Sequence, residues 1–335
     1  MKCLLIKIKH VMNDKVILTG GSGFIGSKVY SELIKRGYNV LGIDIKKPEN
    51  ITQKHEICDL LDKNKLKNII NRFNPSSILH LAARADLTEN NDINGYDVNI
   101  SGVNNLISVI QDNPSIKRCI FTSSQLVCHV KYKPKNDTDY APVNLYGESK
   151  VLGEKIVRST DGGGRIWCIV RPTTIWGPGM SDHYQRFLKM IIKRQYYHIG
   201  YQPLKKYYGY VGNTAYQYCC LLKAPSESIH RKVFYMADYE PIVLQEWANT
   251  FQRNFNAGSI KTIPVFMAKS IAMFGDILNV IGFKEFPFNS FRLRNVLSEP
   301  DFDINPIKII CNKLPFSMND GVQETVKWYC ERNKS

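Results

Sequence analysis

The chain has 335 residues, 44% hydrophobic and 22% charged, which suits one large globular domain or two lobes around a shared sheet and excludes a disordered chain. A formal net charge of +15 attracts anions such as nucleotides or acidic headgroups, but the densest basic pieces, Lys46-Lys47 and Lys131 to Lys135, are too short for a nucleic-acid tail. Nine cysteines, with no Cys-x-x-Cys spacing, argue against a disulfide framework and a zinc site, so no metal is expected and a reducing cytoplasm is the natural compartment.

At the N-terminus an apolar run from Cys3 to Ile6 is broken by Lys7 and Lys9, too short and too charged for a signal peptide or a span. The predicted elements then alternate. Val16 to Thr19 reads as a strand, followed by a glycine cluster and a helix to about Arg36, which Gly37 stops. Val40 to Ile45 is a second strand, Asp62 to Phe73 a helix and Ser77 to Leu81 a strand. Val98 to Ile110 is a helix, Arg118 to Ser123 a strand, Pro142 to Arg158 a helix and Ile166 to Arg171 a strand. This strand–helix rhythm predicts an α/β fold with a doubly wound parallel sheet.

After Pro178 the rhythm changes. Ser181 to Gln195 reads as helix, Tyr196 to Tyr210 as irregular, Val233 to Met236 as a strand and Leu244 to Phe255 as a helix. The apolar stretch Val265 to Phe283 carries Lys269 and Asp276 and reads as an amphipathic helix, not an integral membrane span. The expected organisation is a Rossmann domain over 12–178 with a returning segment near 207–240, and a smaller C-terminal substrate-binding lobe over 179–206 and 241–330.

Gly20, Gly21, Gly23 and Gly26 follow the first strand and open the first helix. Residues without Cβ permit a tight turn and close approach of a pyrophosphate, and the helix N-terminus supplies amide donors, including those of Phe24 and Ile25. Asp44 ends the second strand, where a carboxylate binds ribose hydroxyls and repels a 2′-phosphate, favouring NAD over NADP.

Tyr146 and Lys150, four apart in a predicted helix, share one face. An ammonium beside a phenol lowers its pKa from about 10 toward working pH, and the tyrosine can then exchange a proton with a substrate hydroxyl while hydride moves to or from nicotinamide. Tyr201 and Lys205 repeat the spacing, but Pro203 between them disfavours a helix. Ser124, at the carboxyl end of a strand, faces the crevice where ligands bind and can hydrogen-bond the reacting oxygen.

The ordered set TGGSGFIG, Asp44, Asp59, HLAA at His80 to Ala83, FTSS at Phe121 to Ser124, YGESK at Tyr146 to Lys150 and RPTTIWGPG at Arg171 to Gly179 resembles the extended short-chain dehydrogenases, and in detail the NAD-dependent epimerase/dehydratase family acting on nucleotide sugars. The resemblance is strong over Val16 to Gly179. It implies NAD as cofactor and Ser124, Tyr146 and Lys150 as the catalytic triad. Asp59 with Leu60 would meet the adenine edge, Leu81, Ala82 and Ala83 would line the cofactor, and His80 would be structural. Asn99 matches the family's structural asparagine, and Thr173 or Thr174 would lie beside cofactor and substrate. Lys206 and Arg292, with Arg294 as a further candidate, would hold the substrate diphosphate. The resemblance also implies a homodimer packed through the helices at Val98 to Ile110 and Pro142 to Arg158.

Gln125 and Leu126 stand where 4,6-dehydratases of the family carry an Asp-Glu pair, so dehydration is not expected. The implied activity is a nucleotide-sugar epimerase or 4-oxidoreductase. The run Tyr210-Val211-Gly212-Asn213 and the apolar helix are similar to the 3β-hydroxysteroid dehydrogenase branch, the alternative reading. A non-catalytic NAD-binding scaffold is the third.

Overall fold

The computed structural model describes residues 14–50, 52–87, 92–129, 132–281, 288–299 and 302–333. Cys3 and its N-terminal segment, the domain start at residue 12, Lys131 and Phe283 lie outside the described residues.

Val16, Ile17 and Leu18 are all fully buried. Successive strand residues point to opposite faces, so three in a row demand a sheet covered on both sides. In chain order the elements begin β1 (Lys15–Thr19), α1 (Phe24–Lys35), β2 (Asn39–Asp44), β3 (His55–Ile57), α2 (Lys63–Phe73), β4 (Ser77–His80), α3 (Asp97–Asp112), β5 (Arg118–Thr122), α4 (Leu145–Ser159) and α5 (Asp161–Gly164). There follow β6 (Ile166–Pro172), β7 (Thr174–Trp176), α6 (Asp182–Ile192), β8 (Tyr197–Ile199), β9 (Lys205–Lys206), β10 (Tyr208–Tyr210), α7 (Val211–Lys223), α8 (Ser226–Ile229) and β11 (Lys232–Met236). The last are β12 (Ile242–Val243), α9 (Leu244–Asn254), β13 (Lys261–Ile263), α10 (Val265–Val280), α11 (Ser290–Leu297), α12 (Asn305–Cys311) and α13 (Met318–Arg332).

The chain divides into two compact units. The first takes the described residues up to Ile175, with Val211–Ala237 and Asp303–Pro315. Its sheet has seven strands in the order β11-β6-β5-β4-β1-β2-β3, every pair parallel. This is the doubly wound Rossmann architecture expected from the strand–helix rhythm. Right-handed crossovers put α2, α3 and α4 on one face and α1, α7 and α12 on the other; α3 packs between α2 and α4, and α7 between α1 and α12. The chain reverses direction across the sheet between β1 and β4, so a crevice opens beyond their carboxyl ends. Leu66, Ile70, Leu106, Ile110 and Ile169 fill the core under one face.

The second unit takes Trp176–Tyr210, Asp238–Phe302 and the described residues from Phe316 on. Its core is aromatic: Phe187 stacks on Trp247 at 4.6 Å and 6°, and Trp247 meets Trp176 edge-on at 5.4 Å.

Three expectations are corrected. The helix expected from Pro142 begins at Leu145, because the Asn144 side chain accepts the Gly147 N–H at 2.8 Å and caps it. Tyr196 to Tyr210, expected irregular, contains three short strands, of which β8 pairs with β13 and β9 with β12. The block drawn at 241–330 is not continuous: Asp303–Pro315 belongs to the first unit, where α12 buries Ile307 and Cys311 and packs on α7.

Candidate active site

The loop from Gly20 to Gly26 sits at the carboxyl end of β1. Gly20 has φ +74°, and a Cβ there would stand 2.6 Å from the Ala82 amide nitrogen; a Cβ on Gly26 would strike the Gly20 carbonyl oxygen. Glycine is therefore required at Gly20 by both backbone conformation and space, and at Gly26 by space alone. Gly23 begins α1 without a side-chain cap, and the first turn holds no acidic residue. The amides of Phe24 and Ile25 thus stand at a positive helix end suited to a phosphate.

Around this cradle, Asp44 accepts the Ser22 N–H at 3.0 Å and the Lys46 N–H at 3.2 Å, which fixes its carboxylate at the end of β2. Asp59 is exposed and accepts the Leu61 N–H at 3.0 Å, while Leu60 is buried. Beyond β4, the Leu81 N–H donates to the Thr19 carbonyl at 3.1 Å and the Ala82 N–H to Thr19 Oγ1 at 3.3 Å; Ala83 follows, half-buried. His80 Nδ1 lies 2.8 Å from Thr19 Oγ1. Burial, helped by the Lys150 charge, pushes the imidazole down to about 3, so it is neutral and acts as a strut between β1 and β4. A loop that tolerates no Cβ at Gly20 or Gly26, an uncapped helix start and a fixed carboxylate at the next strand end together fit a dinucleotide.

Ser124 follows the carboxyl end of β5, and Tyr146 and Lys150 lie on α4, which packs on the turn after Ser124. The Leu126 N–H donates to Ser124 Oγ at 3.1 Å. A Cβ on Gly147 would stand 2.3 Å from the Leu126 carbonyl oxygen, so the absence of a side chain beside Tyr146 lets α4 press onto the turn after Ser124. Lys150, one helical turn on, is buried and donates from Nζ to the Thr122 carbonyl at 3.0 Å. Burial lowers this ammonium to about 8, with Glu154 opposing the fall. The Tyr146 ring is half-buried and tilted against Tyr96 at 6.0 Å.

Asn99 is buried, and its amide is divided between strand and helix. Oδ1 accepts the Arg84 N–H at 2.9 Å, and Nδ2 donates to the Arg84 carbonyl and to Ser149 Oγ, each at 2.9 Å. Ser149 Oγ in turn donates to the Tyr146 carbonyl at 2.7 Å. The loop after β4 and the turn carrying Tyr146 are therefore tied together. Ser149, Glu154, Tyr96 and Thr122 went unnamed as site residues at the level of sequence. Ser149 and Thr122 lie inside the YGESK and FTSS motifs and were open to detection there; Glu154 and Tyr96 depend on contacts outside those motifs.

The remaining candidates are placed elsewhere. The Thr173 hydroxyl donates to the Met236 carbonyl at 3.1 Å, and Thr174 is half-buried at the start of β7. Arg292 lies in the first turn of α11, with its N–H donating to the capping Asn289 side chain at 2.9 Å; Arg294 is exposed on the same helix. Lys206, expected on a diphosphate, is 3% exposed, and its Nζ donates to the Asn295 carbonyl at 2.9 Å and to the Ser298 carbonyl. The ammonium is committed to the C-terminal end of α11, where helix carbonyls need donors, and is not a diphosphate ligand. The decoy Tyr201 is exposed in a turn, and Lys205 opens β9, so that pair shares no helical face.

Among curated proteins, the chain is 26% identical to an N-acetyl-alpha-D-glucosaminyl-diphospho-ditrans,octacis-undecaprenol 4-epimerase of Escherichia coli O157:H7, over 95% of this chain and 96% of that protein. It is 26% identical to a 3-beta-hydroxysteroid dehydrogenase of Mycolicibacterium neoaurum over 70% of this chain and 68% of that one. The solved UDP-glucose 4-epimerase of Thermus thermophilus in complex with NAD shares the fold at a TM-score of 0.69 and 18% identity, covering 94% of this chain and 99% of that one. Residues 16–235 match the model of the NAD dependent epimerase/dehydratase family, a span that holds the glycine cradle, Asp44, Ser124, Tyr146 and Lys150, and the chain belongs to that family of NAD-dependent enzymes.

Proposed function

We propose that the chain is an NAD-dependent 4-epimerase of a sugar carried on a diphosphate, with Tyr146 as the proton carrier. The observation that carries this is Tyr146 and Lys150 one turn apart on α4, held by Gly147 against the turn that bears Ser124. Gly20, Gly23, Gly26 and the amides of Phe24 and Ile25 would hold the NAD pyrophosphate, Asp44 the adenosine ribose, and Asp59 and Leu60 the adenine edge. Leu81, Ala82, Ala83 and Thr173 would line its path. NAD supplies the reversible two-electron oxidation of the C4 carbinol. Ser124 positions the substrate hydroxyl, and Tyr146 takes its proton and returns it. Lys150 stabilises the tyrosinate and reaches the nicotinamide ribose. Asn99 acts through Ser149 and positions Tyr146. Thr174, at the start of β7, is the substrate contact proposed within the first unit, and Arg292 on α11 is a separate candidate cation for a diphosphate.

The curated relative covered almost end to end acts, by its name, on a sugar joined through diphosphate to undecaprenol, so the carrier is either a nucleotide or a polyprenol. Either use supplies sugars for polysaccharide assembly. The described cysteines are free thiols, which supports a reducing cytoplasm as the compartment.

The test offers UDP-GlcNAc, UDP-glucose and polyprenyl-diphospho-GlcNAc with catalytic NAD and follows the C4 configuration by proton NMR. Interconversion of C4 epimers without net NADH is expected. A second reading, a 3β-hydroxysteroid-type dehydrogenase, is favoured by Tyr210-Val211-Gly212-Asn213 and by the matching mycobacterial relative. Stoichiometric NADH from a 3β-hydroxysteroid, with no sugar turned over, would replace the first reading. Binding of NAD with no turnover of either class would leave a scaffold.

A further inference from the structure

Helix α10 buries the wrong side of itself for an ordinary surface helix. Its buried residues are the small ones, Ala268, Ala272 and Gly275, which let α11 approach so that Leu293 packs on Ala268 and Ala272. Its large apolar residues face outward: Phe266, Met273, Phe274, Ile277, Val280 and the capping Ile281 are all exposed, Phe266 at 69% and Val280 at 87%. At 100° per residue these six fall within one continuous stripe, widened by Met267 and Ile271. Ser270 is the polar residue inside the stripe, and its hydroxyl donates back to the Phe266 carbonyl at 3.2 Å. Lys269 and Asp276 lie on the flank, away from the centre of the stripe, so its face carries no charge.

A basic neighbourhood adjoins this stripe within the same unit. From Arg186 to Tyr210 the sequence has six Lys or Arg and no Asp or Glu, and Arg186, Lys189, Lys193, Arg194 and Lys205 are exposed. The segment is tied to the start of α10, because β8 pairs with β13, the strand that leads through Pro264 into the helix. A Cβ on Gly200 would touch Val265, which sets the exposed Tyr201 beside the same helix end. A contiguous apolar stripe of this kind marks an interaction surface. A protein partner could cover apolar residues, but five exposed cations outnumber the nearby carboxylates, Asp182 on α6 and Glu299 on the Lys205 amide, which is complementary to an extended anionic plane, and tyrosine suits its headgroup level.

We infer that the exposed face of α10 docks the protein onto an anionic lipid bilayer, lying in the interface with Lys193, Arg194 and their neighbours against the headgroups. Among the described residues no helix is long and apolar enough to cross a membrane. At 16 residues α10 is about 24 Å long against a hydrocarbon core of about 30 Å, so it lies on the surface. This docking follows from the second unit alone and stands or falls independently of the sugar reading.

The experiment is vesicle co-sedimentation of the full chain with NAD present, comparing phosphatidylglycerol–phosphatidylcholine vesicles with phosphatidylcholine alone. The protein is expected to pellet with the anionic vesicles and to be released as salt rises. Ile277→Glu/Val280→Glu should lower the partition at least about tenfold, and Lys193→Glu/Arg194→Glu should lower it on anionic vesicles. Ile309→Glu, at an exposed apolar site on α12, is the control expected to bind like the parent. NAD titration and thermal melting, unchanged in all three, show that the fold is kept. Failure of the parent to bind anionic vesicles at low salt, or binding by the α10 variant equal to the parent's, would overturn the proposal. So would light scattering in which the parent binds no vesicles and the α10 variant loses self-association, which would assign the face to a second copy of the chain.

Discussion

Arg171 and Glu154 form a two-pronged ion pair inside the first unit, Nε to Oε1 and Nη2 to Oε2 both at 2.8 Å, with each side chain about 98% or more buried. Glu154 also accepts the Tyr140 hydroxyl at 2.9 Å. It lies one helical turn beyond Lys150, so a structural pair in the core and the charge of a candidate catalytic ammonium share one carboxylate.

Breaking that pair from one side should be expensive. Glu154→Gln leaves the Arg171 guanidinium buried without its counter-charge, and a loss of about 3–5 kcal/mol is expected, read as a lower urea midpoint. Replacing both, Glu154→Leu with Arg171→Met, should recover most of it, because an apolar pair has no charge to desolvate. A double variant as unstable as the single one would show that the pair does more than balance charge.

Lys150 sets a pH dependence. Its folded value is held down to about 8 by burial, against 10.5 for the group unperturbed. Between those values the unfolded chain holds a proton that the folded chain has released. The stability contributed by this group therefore rises with pH across that window, is fully present above about 10.5, and is lost as pH falls through about 8. Activity runs the other way, since only the ammonium supports a tyrosinate, and turnover should decline above pH 8. Comparing pH–rate and pH–stability profiles of the parent with Lys150→Met checks both; an unchanged stability slope in the variant would remove Lys150 as its source.

Tyr146→Phe keeps the ring against Tyr96 and deletes the proton carrier. Turnover should fall on the order of 10²- to 10⁴-fold, with NAD affinity nearly unchanged. Tyr201→Phe, exposed in its turn, should behave as the parent. Near-normal turnover of Tyr146→Phe would end the catalytic assignment.

Asp44 should make NAD the preferred cofactor over NADP, since its carboxylate, fixed by the Ser22 and Lys46 amides, repels a 2′-phosphate. Calorimetric titration with both cofactors measures the preference, and Asp44→Ser should shrink it. Equal or tighter NADP binding by the parent would point to the exposed Lys46 or Lys47 as a phosphate partner.

For assembly, a homodimer through α3 and α4 is expected, with the half-buried Ile100 and Leu152 at the contact. Light scattering should give twice the chain mass, and Leu152→Arg should halve it. A parent that stays monomeric at micromolar concentration would refute this.

The sequence made the cofactor half readable because its signals are local: an apolar run such as Val16 to Leu18, then glycines, then a helix, repeated along the sheet. The start of α4 was misjudged by three residues because Pro142 is a good first helical residue, whereas Asn144 is the better cap. The strands in Tyr196 to Tyr210 were missed because β8 and β9 find their partners, β13 and β12, more than thirty residues downstream. Lys206 was misassigned because lysine is ordinarily exposed; its burial depends on carbonyls of α11 nearly ninety residues later.

The interleaving of the two units has a consequence for how the protein is made. The edge strand β11 joins the sheet after an excursion through part of the second unit, and α12 completes the cover of α7 only from Asn305 onward. A chain emerging from the ribosome N-terminus first has its glycine cradle, Asp44 and the Tyr146 helix outside long before this cover exists. Until then the α7 surface that receives Ile307 and Cys311 stays open to water and to other nascent chains. A frameshift or stop just before residue 305 would therefore yield a product with every residue proposed for the cofactor present and an exposed apolar flank, a species bound for aggregation or proteolysis instead of one that merely lacks a tail.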